Sequence, residues 1–514
     1  MKLRSILILT SAHLCRNPRV VKEATTLGAA GYDVTVMSIS VQARFERMDL
    51  ELMRGLPFKR VTIDYAANTL STRFTDFFQR GSTWAARQLC RKLDIETAQT
   101  LGPASALLRF ARAFPADLTI VHTEIPIWAA QHLITDGRRV AVDVEDWYSE
   151  DLLYADRQSR PTRLLRSAEE FALRHSVYTS ATAQSMADAL TATYHCAPPI
   201  VVRNSFPLQP RSRADTPAPT GAPSFIWFSQ TIGPGRGLEL FFAAWARTTQ
   251  PSQVYLLGDE RPGYREKLLA RLPVARRGDL HFIPLVTPEQ LPGKLAEFDI
   301  GLALEPRWPL NRNITITNKI LQYLNAGLAV IATDTAGQRE VMTAATDCGL
   351  LITAHETTEF AAKLDALLGD HARLRATQLA ARAAAEREFC WEREAPPAAC
   401  RRRTRLPLNP WPLLPDPRAS KPRNFSGNSP SSCAAACSIW AAGPTICRKV
   451  SPSSSRPTKM TRHLLAAASS PASAMKACRC TSSLSPTAPP RTPIIPGSPP
   501  SPSPRYAPAK PCRP

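Results

Sequence analysis

The stretch NKILQYLNAGLAVIAT, residues 318–333, sets the architecture of the chain. Its first nine residues place apolar side chains at helical spacing, Gly327 stands where helices are commonly capped, and Ala329–Thr333 is a short apolar run of strand character. A helix that feeds directly into a buried strand is half of a βαβ crossover. The surrounding sheet is therefore expected to be parallel and the protein α/β.

Working outward, the same alternation fills the body. Upstream of the helix the pattern predicts strands at Phe225–Ser229, Gln253–Leu257 (closed by Gly258), His281–Pro284 and Ile300–Ala303, with a Gly-rich turn Gly233–Gly237 opening a helix at Leu238. The first half predicts a strand at Ser5–Thr10, a polar loop through Asn17, and a helix from Pro18 to about Ala30, with Pro in its first turn and Gly31 behind it. Further strands are expected at Tyr32–Ser38, Leu118–His122, Arg139–Val144 and Val177–Ser180. The Pro- and Arg-rich run 207–223 reads as a linker. Two doubly wound Rossmann-like domains, 1–206 and 224–394, are thus expected to face a cleft. Ligands of such sheets bind beyond the carboxyl ends of the strands.

At 514 residues the chain is too long for one core, and composition marks where the globular part ends. Of 47 prolines, 25 lie in 395–514, together with 18 Lys and Arg against a single acid, Asp416. Most of the net charge of +21 therefore belongs to this low-complexity tail, which cannot bury enough apolar surface to fold. Such a mixture is also what a GC-rich gene gives when translated out of frame; a natural basic disordered tail is the alternative. The body is only mildly basic, so no specific nucleic-acid partner is expected. Its five scattered cysteines form no disulfide framework, which fits a reduced, cytoplasmic compartment. No run of about 18 apolar residues spans a membrane, and the run Ile6–Leu9 is too short for a signal peptide.

Four features at strand ends or on helix faces carry chemistry. The turn Gln230–Gly237 leaves a strand and opens a helix, where free N–H groups and Arg236 suit a diphosphate; an ordinary turn that needs Gly for positive φ is the plain alternative. His122 ends a strand. Asp143–Asp151 follows another strand and gathers carboxylates beside Trp147 and Tyr148, which suits sugar hydroxyls as well as it suits solvent. Phe77, Phe78, Arg80, Trp84, Arg87, Arg91 and Lys92 lie in a helical stretch whose composition fits either an anionic membrane surface or a solvated helix with an apolar stripe.

Over residues 1–394 these segments, in order, resemble family-4 retaining glycosyltransferases (glycosyltransferase group 1), which have the GT-B fold. The resemblance rests first on Asn318–Thr333. It extends to Pro18-Arg19-Val20 with Lys22-Glu23-Ala24, Gly31–Val34, Ala116-Asp117 through His122, Asn204, Arg236-Gly237, and Ala336-Gly337 with Glu340. It implies transfer of a sugar, with retention, from a nucleotide sugar to the hydroxyl of a glycan or lipid-linked acceptor. No metal and no cofactor are implied, since the donor is a substrate. Surface polysaccharide or lipopolysaccharide synthesis is the implied setting, in the cytoplasm or at the inner face of its membrane.

By the same resemblance His122, Arg236 and Lys319 are the catalytic candidates, and Gly233, Gly235, Gly237, Asn318, Gln322, Gly337 and Glu340 bind the donor. Arg19, Glu145 and Asp146 fall on the acceptor side. The chain departs from the family pattern where many relatives carry two Glu separated by seven residues, having Ile314 and Gln322. It also has Thr231 in place of a phosphate-binding Arg, which weakens the anion clamp. Phe389–Glu394 resembles the start of the helix that crosses back to the first domain. A nucleotide-sugar epimerase or phosphorylase on the same architecture, and a non-catalytic homologue that binds nucleotide or a partner, remain the competing readings.

Overall fold

The computed structural model describes residues 5–394, apart from 66–69, 154–156, 211, 217–220 and 354–356. The expected tail, 395–514, lies outside the described residues. The first lobe is a parallel sheet of β1 (Ser5–Leu9), β2 (Asp33–Ser40), β3 (Lys59–Asp64), β4 (Leu118–Val121), β5 (Val140–Val144), β6 (Thr179–Ala181) and β7 (Ile200–Val201), in the order β3-β2-β1-β4-β5-β6-β7. The second holds β8 (Ser224–Ile232), β9 (Gln253–Glu260), β10 (Leu280–Ile283), β11 (Ile300–Ala303), β12 (Ala329–Thr333) and β13 (Gly349–Ile352), ordered β10-β9-β8-β11-β12-β13 and again parallel. The expected pair of doubly wound α/β units is present. The strands that pattern reading did not anticipate, β3, β7 and β13, are all edge strands. An edge strand has one neighbour and a partly wet surface, so its sequence lacks the continuous apolar run that marks a central parallel strand.

Burial explains the layers. Ile6 and Ile8 of β1 pack with Val20 and Leu27 of helix Pro18–Ala29 on one face, while Leu7 and Leu9 join Met37 and Val121 on the other. In the second lobe, helix Asn318–Ala326 buries Ile320, Leu321, Tyr323 and Leu324. It lies so close to the sheet that a Cβ at Gly301 of β11 would stand 2.2 Å from the Tyr323 ring, so only Gly fits there.

The expected linker is anchored rather than loose where it is described. Arg213 pairs with Asp299 at 2.9 Å, and Arg382 donates to the Gln209 carbonyl at 2.9 Å. After helix His371–Arg387 the chain returns to the first lobe as expected. The Trp391 N–H donates to the Phe206 carbonyl at 2.9 Å, its indole N–H donates to Thr26 Oγ1 at 3.1 Å, and Arg203 pairs with both Glu388 and Glu394.

Among the described residues no helix is long and apolar enough to cross a membrane. Helix Leu70–Leu93 turns Thr83, Ala86 and Cys90 inward and leaves Phe77, Phe78 and Trp84 exposed, at 72%, 70% and 66%.

Candidate active site

Each sheet reverses its winding once, between β1 and β4 and between β8 and β11, and each reversal opens a crevice at the carboxyl ends of the strands. His122 directly follows β4. Its neighbour Thr123 has φ 65°, a conformation a β-branched residue rarely adopts, and is held there as Thr123 Oγ1 accepts from the Ser11 N–H at 3.0 Å.

The His122 ring is wholly buried and both nitrogens are engaged. Nε2 donates to Glu23 Oε2 at 2.6 Å and Nδ1 to Glu145 Oε1 at 2.9 Å, with Asp143 Oδ1 3.9 Å away. Burial alone would lower its pKa, but the charges of Glu23 and Asp143 and the hydrogen bonds to Glu145 and Glu23 override burial and raise it to about 10. His122 is therefore an imidazolium at neutral pH. Arg19, expected on the acceptor side, is enclosed: Nε and Nη2 fork onto Asp143 at 2.8 and 2.6 Å, and Nη1 donates to the Val202 carbonyl at 2.7 Å. Burial would raise the Asp143 carboxyl, yet Arg19 and His122 hold it below its ordinary value. Glu23, His122 and Asp143 are close enough together to suit a cation, but Arg19 and the imidazolium already supply the compensating charge.

Glu145 is half-buried, bound by His122 and by Asn17 Nδ2 at 2.9 Å. Asp146 meets the second lobe: Asn311 Nδ2 donates to Asp146 Oδ1 at 2.9 Å and to Asp151 Oδ1 at 3.1 Å, while Asn311 Oδ1 accepts the Trp147 N–H at 2.8 Å. Burial, followed by the Asp151 charge, pushes the Asp146 carboxyl up to about 7. The predicted acidic loop is thus part of the seam between the lobes.

In the second lobe the turn after β8 is built tightly. Gly235 and Gly237 have φ 75° and 78°, and a Cβ on Gly237 would stand 2.8 Å from Leu304 at the end of β11. Arg312 Nη1 donates to the Gly235 carbonyl at 2.8 Å, and Arg16 of the first lobe donates to Gln230. Arg236 makes no hydrogen bond or ion pair among the described residues. Lys319 is buried and bonded to Glu305 Oε1 at 2.6 Å, its ammonium 5.5 Å from the centre of the Trp227 ring. Asn318 is exposed and its Oδ1 accepts from Asn204 Nδ2 at 2.9 Å. Thr317 Oγ1, at the N-cap of this helix, and Gln322 Oε1, midway along it, are buried with no hydrogen-bond partner among the described residues.

Gly337 has a packing reason, since a Cβ would stand 2.4 Å from the Thr315 backbone. Glu340 also reaches the first lobe, where Oε1 and Oε2 accept the Ser185 and Gln184 N–H groups at 2.5 and 2.9 Å and cap helix Gln184–Tyr194. Sequence reasoning missed Glu305, Asn311 and Thr317. Glu305 could have been found, since it lies two residues past the end of the apolar strand β11, at the carboxyl edge of the sheet. Asn311 sits in the short helix Leu310–Ile314 and carries no such signal.

Residues 222–370 match the model of the family described as Glycosyl transferases group 1. No curated protein matches the sequence. Sucrose-phosphate synthase from Thermosynechococcus elongatus is similar in structure with TM-score 0.58 at 14% identity, covering 76% of this chain and 96% of that one. Anabaena HepE in complex with UDP-glucose aligns with TM-score 0.52 at 16% identity, covering 75% and 96%. A TarM mutant from S. aureus in complex with Fondaparinux, alpha-GlcNAc-glycerol and UDP gives 0.53 at 7%, covering 76% and 98%. The two facing Rossmann-like lobes are thus a GT-B fold. The chain has the fold of group 1 glycosyltransferases, and its second lobe carries that family's match, as the resemblance implied.

Proposed function

We propose that this protein transfers a sugar from a nucleotide sugar to an acceptor hydroxyl with retention, without a metal, in the synthesis of a surface glycan. The observation that carries this reading is the start of helix Asn318–Ala326. Thr317 Oγ1 at its N-cap and Gln322 Oε1 midway along it are buried and lack any partner among the described residues, and an orphaned buried acceptor is costly unless a ligand supplies the hydrogen bond. Ribose hydroxyls would supply it. Arg236, unpaired beside the turn after β8, then compensates the diphosphate.

As the bond from the anomeric carbon to the diphosphate breaks, the acceptor oxygen takes its place and its proton passes to the released diphosphate. Arg236 and the two helix starts stabilise the departing charge, and Lys319 assists while shared with Glu305. Glu145 and Asp146 orient the acceptor, with His122 positioning Glu145 from behind. HepE and TarM are described in complexes with UDP-glucose and with UDP respectively, which favours a uridine nucleotide here.

The test is calorimetry of the full chain with UDP and GDP, together with turnover on a panel of their sugars. Replacing Arg236 and Lys319 together with Ala should abolish measurable nucleotide binding; unchanged affinity would sink the reading. One observation favours a nucleotide binder without turnover. The Lys319 charge is already met by Glu305, and nucleotide binding without transfer on any panel member would support that alternative.

A lipid-linked acceptor and peripheral membrane contact belong to the same proposal. Phe77, Phe78 and Trp84 on the bare face of helix Leu70–Leu93, beside Arg80, Arg87 and Arg91, fit an anionic bilayer surface. Co-sedimentation with phosphatidylglycerol vesicles, lost in Phe77→Ser/Phe78→Ser, is the expected result; equal recovery of both proteins counts against it.

A further inference from the structure

The end of β8, which leads into the βα turn, lacks the basic residue that the resemblance places at position 231, where Thr231 stands. A different strand brings a cation to the same turn. β8 and β9 continue past the rest of the sheet as a two-stranded ribbon: their pairing shifts between Phe228 and Thr231 and resumes with Thr231 opposite Asp259 and Ile232 opposite Glu260. A bulge of this kind sharpens the local twist and re-aims the side chains beyond it. The Arg261 N–H closes the ribbon on the Ile232 carbonyl at 3.0 Å.

The Arg261 side chain then lies across Gly233. A Cβ built on Gly233 would stand 3.0 Å from Arg261 Cδ and 3.4 Å from Nε, so the arginine stem lies directly over this glycine. Its guanidinium has no hydrogen bond or ion pair among the described residues. Neighbouring acids do not claim it, because Glu260 pairs with Arg265 at 2.5 Å and Asp259 forms no ion pair with it. Arg312, by contrast, is spent on the Gly235 carbonyl and Arg16 on Gln230. Two guanidinium groups, Arg236 from within the turn and Arg261 from above it, are left uncommitted around one glycine-rich turn at a helix start.

We infer that Arg261 is a second diphosphate-positioning cation, which makes the site select nucleoside diphosphates over monophosphates. The inference rests on the donor site proposed above and adds to it a residue from β9. A guanidinium fork matches two phosphate oxygens at once, so its contribution should fall on the second phosphate and not on the nucleoside.

The experiment measures affinities of the full chain for UDP, UMP, GDP and GMP by calorimetry, for the wild type, Arg261→Ala, Arg261→Lys, Gly233→Ala and Arg236→Ala. Arg261→Ala should weaken the preferred diphosphate about tenfold and its monophosphate less than about twofold, with Arg261→Lys intermediate because an ammonium is only a point charge. Gly233→Ala, whose Cβ would press on the arginine stem by only a few tenths of an ångström, should retain most of the selectivity that Arg261→Ala loses. If Arg261→Ala leaves the ratio of diphosphate to monophosphate affinity unchanged while Arg236→Ala weakens both nucleotides, Arg261 has no such role and the donor site stands. If Arg236→Ala also changes nothing, or no nucleotide binds, the donor site itself is refuted and this inference falls with it.

Discussion

His122 shows how far a single side chain's chemistry depends on its neighbours. A histidine pinned between Glu23 and Glu145 and raised to about 10 is a fixed cation across the physiological range. Because folding raises its pKa, its contribution to stability is complete below its ordinary value of 6.5 and is lost as pH climbs through about 10. Glu23→Gln keeps an acceptor for Nε2 but removes a charge. The His122 titration followed by NMR should then move from about 10 toward neutrality; no movement would show that Glu23 does not hold the proton. Asp146 behaves in the opposite sense for an acid. Its folded pKa of about 7 lies above its ordinary 3.8, so the stability it contributes is complete below 3.8 and lost as pH rises through 7. Asp146→Asn should be more stable than wild type in urea at pH 8, with the two converging below about pH 4. A constant gap would contradict the assignment.

Helix Gln184–Tyr194 illustrates the same dependence for an element. Its N-cap residue, Ala183, has no side-chain oxygen, and the first amides are satisfied by Glu340 of the other lobe. Losing a cap costs about 1 kcal/mol, so Glu340→Ala should lower hydrogen-exchange protection at the start of this helix by about fivefold. Unaltered exchange there would mean that water replaces the carboxylate at no cost. Helix Asn318–Ala326 is the contrasting element, because its own residues specify it: an apolar stripe, Gly327 at φ 68° behind it, and an apolar strand to follow.

Many groups join the two lobes as one molecule, Arg16, Asn204 and Glu340 among them. Asn311 ties the acidic loop to the second lobe, and Trp391 ties the end of the described chain to the first. The Trp391 indole joins the cluster of Val20, Leu27 and Phe58, with Lys22 4.9 Å from its ring centre. Removing so large a buried side chain should cost about 3–5 kcal/mol, so Trp391→Ala is expected to lower the urea midpoint clearly. A midpoint unchanged from wild type would show that the returning segment adds nothing to the first lobe.

Much of this molecule was readable along the chain, because its central strands and the helices over them are built from local signals. Apolar runs, glycine caps and a proline in a first turn depend only on neighbours in sequence. They yielded two parallel α/β units, their order, and the turn that carries Arg236. The rest depends on residues far apart in the chain. Nothing in the sequence pairs Arg19 with Asp143, gives Lys319 to Glu305, sends Glu340 to another lobe's helix or lays Arg261 over Gly233. Those partnerships are set by the crossing of strands and the meeting of lobes, since whether a charge is free, shared or buried is a property of what folding places beside it.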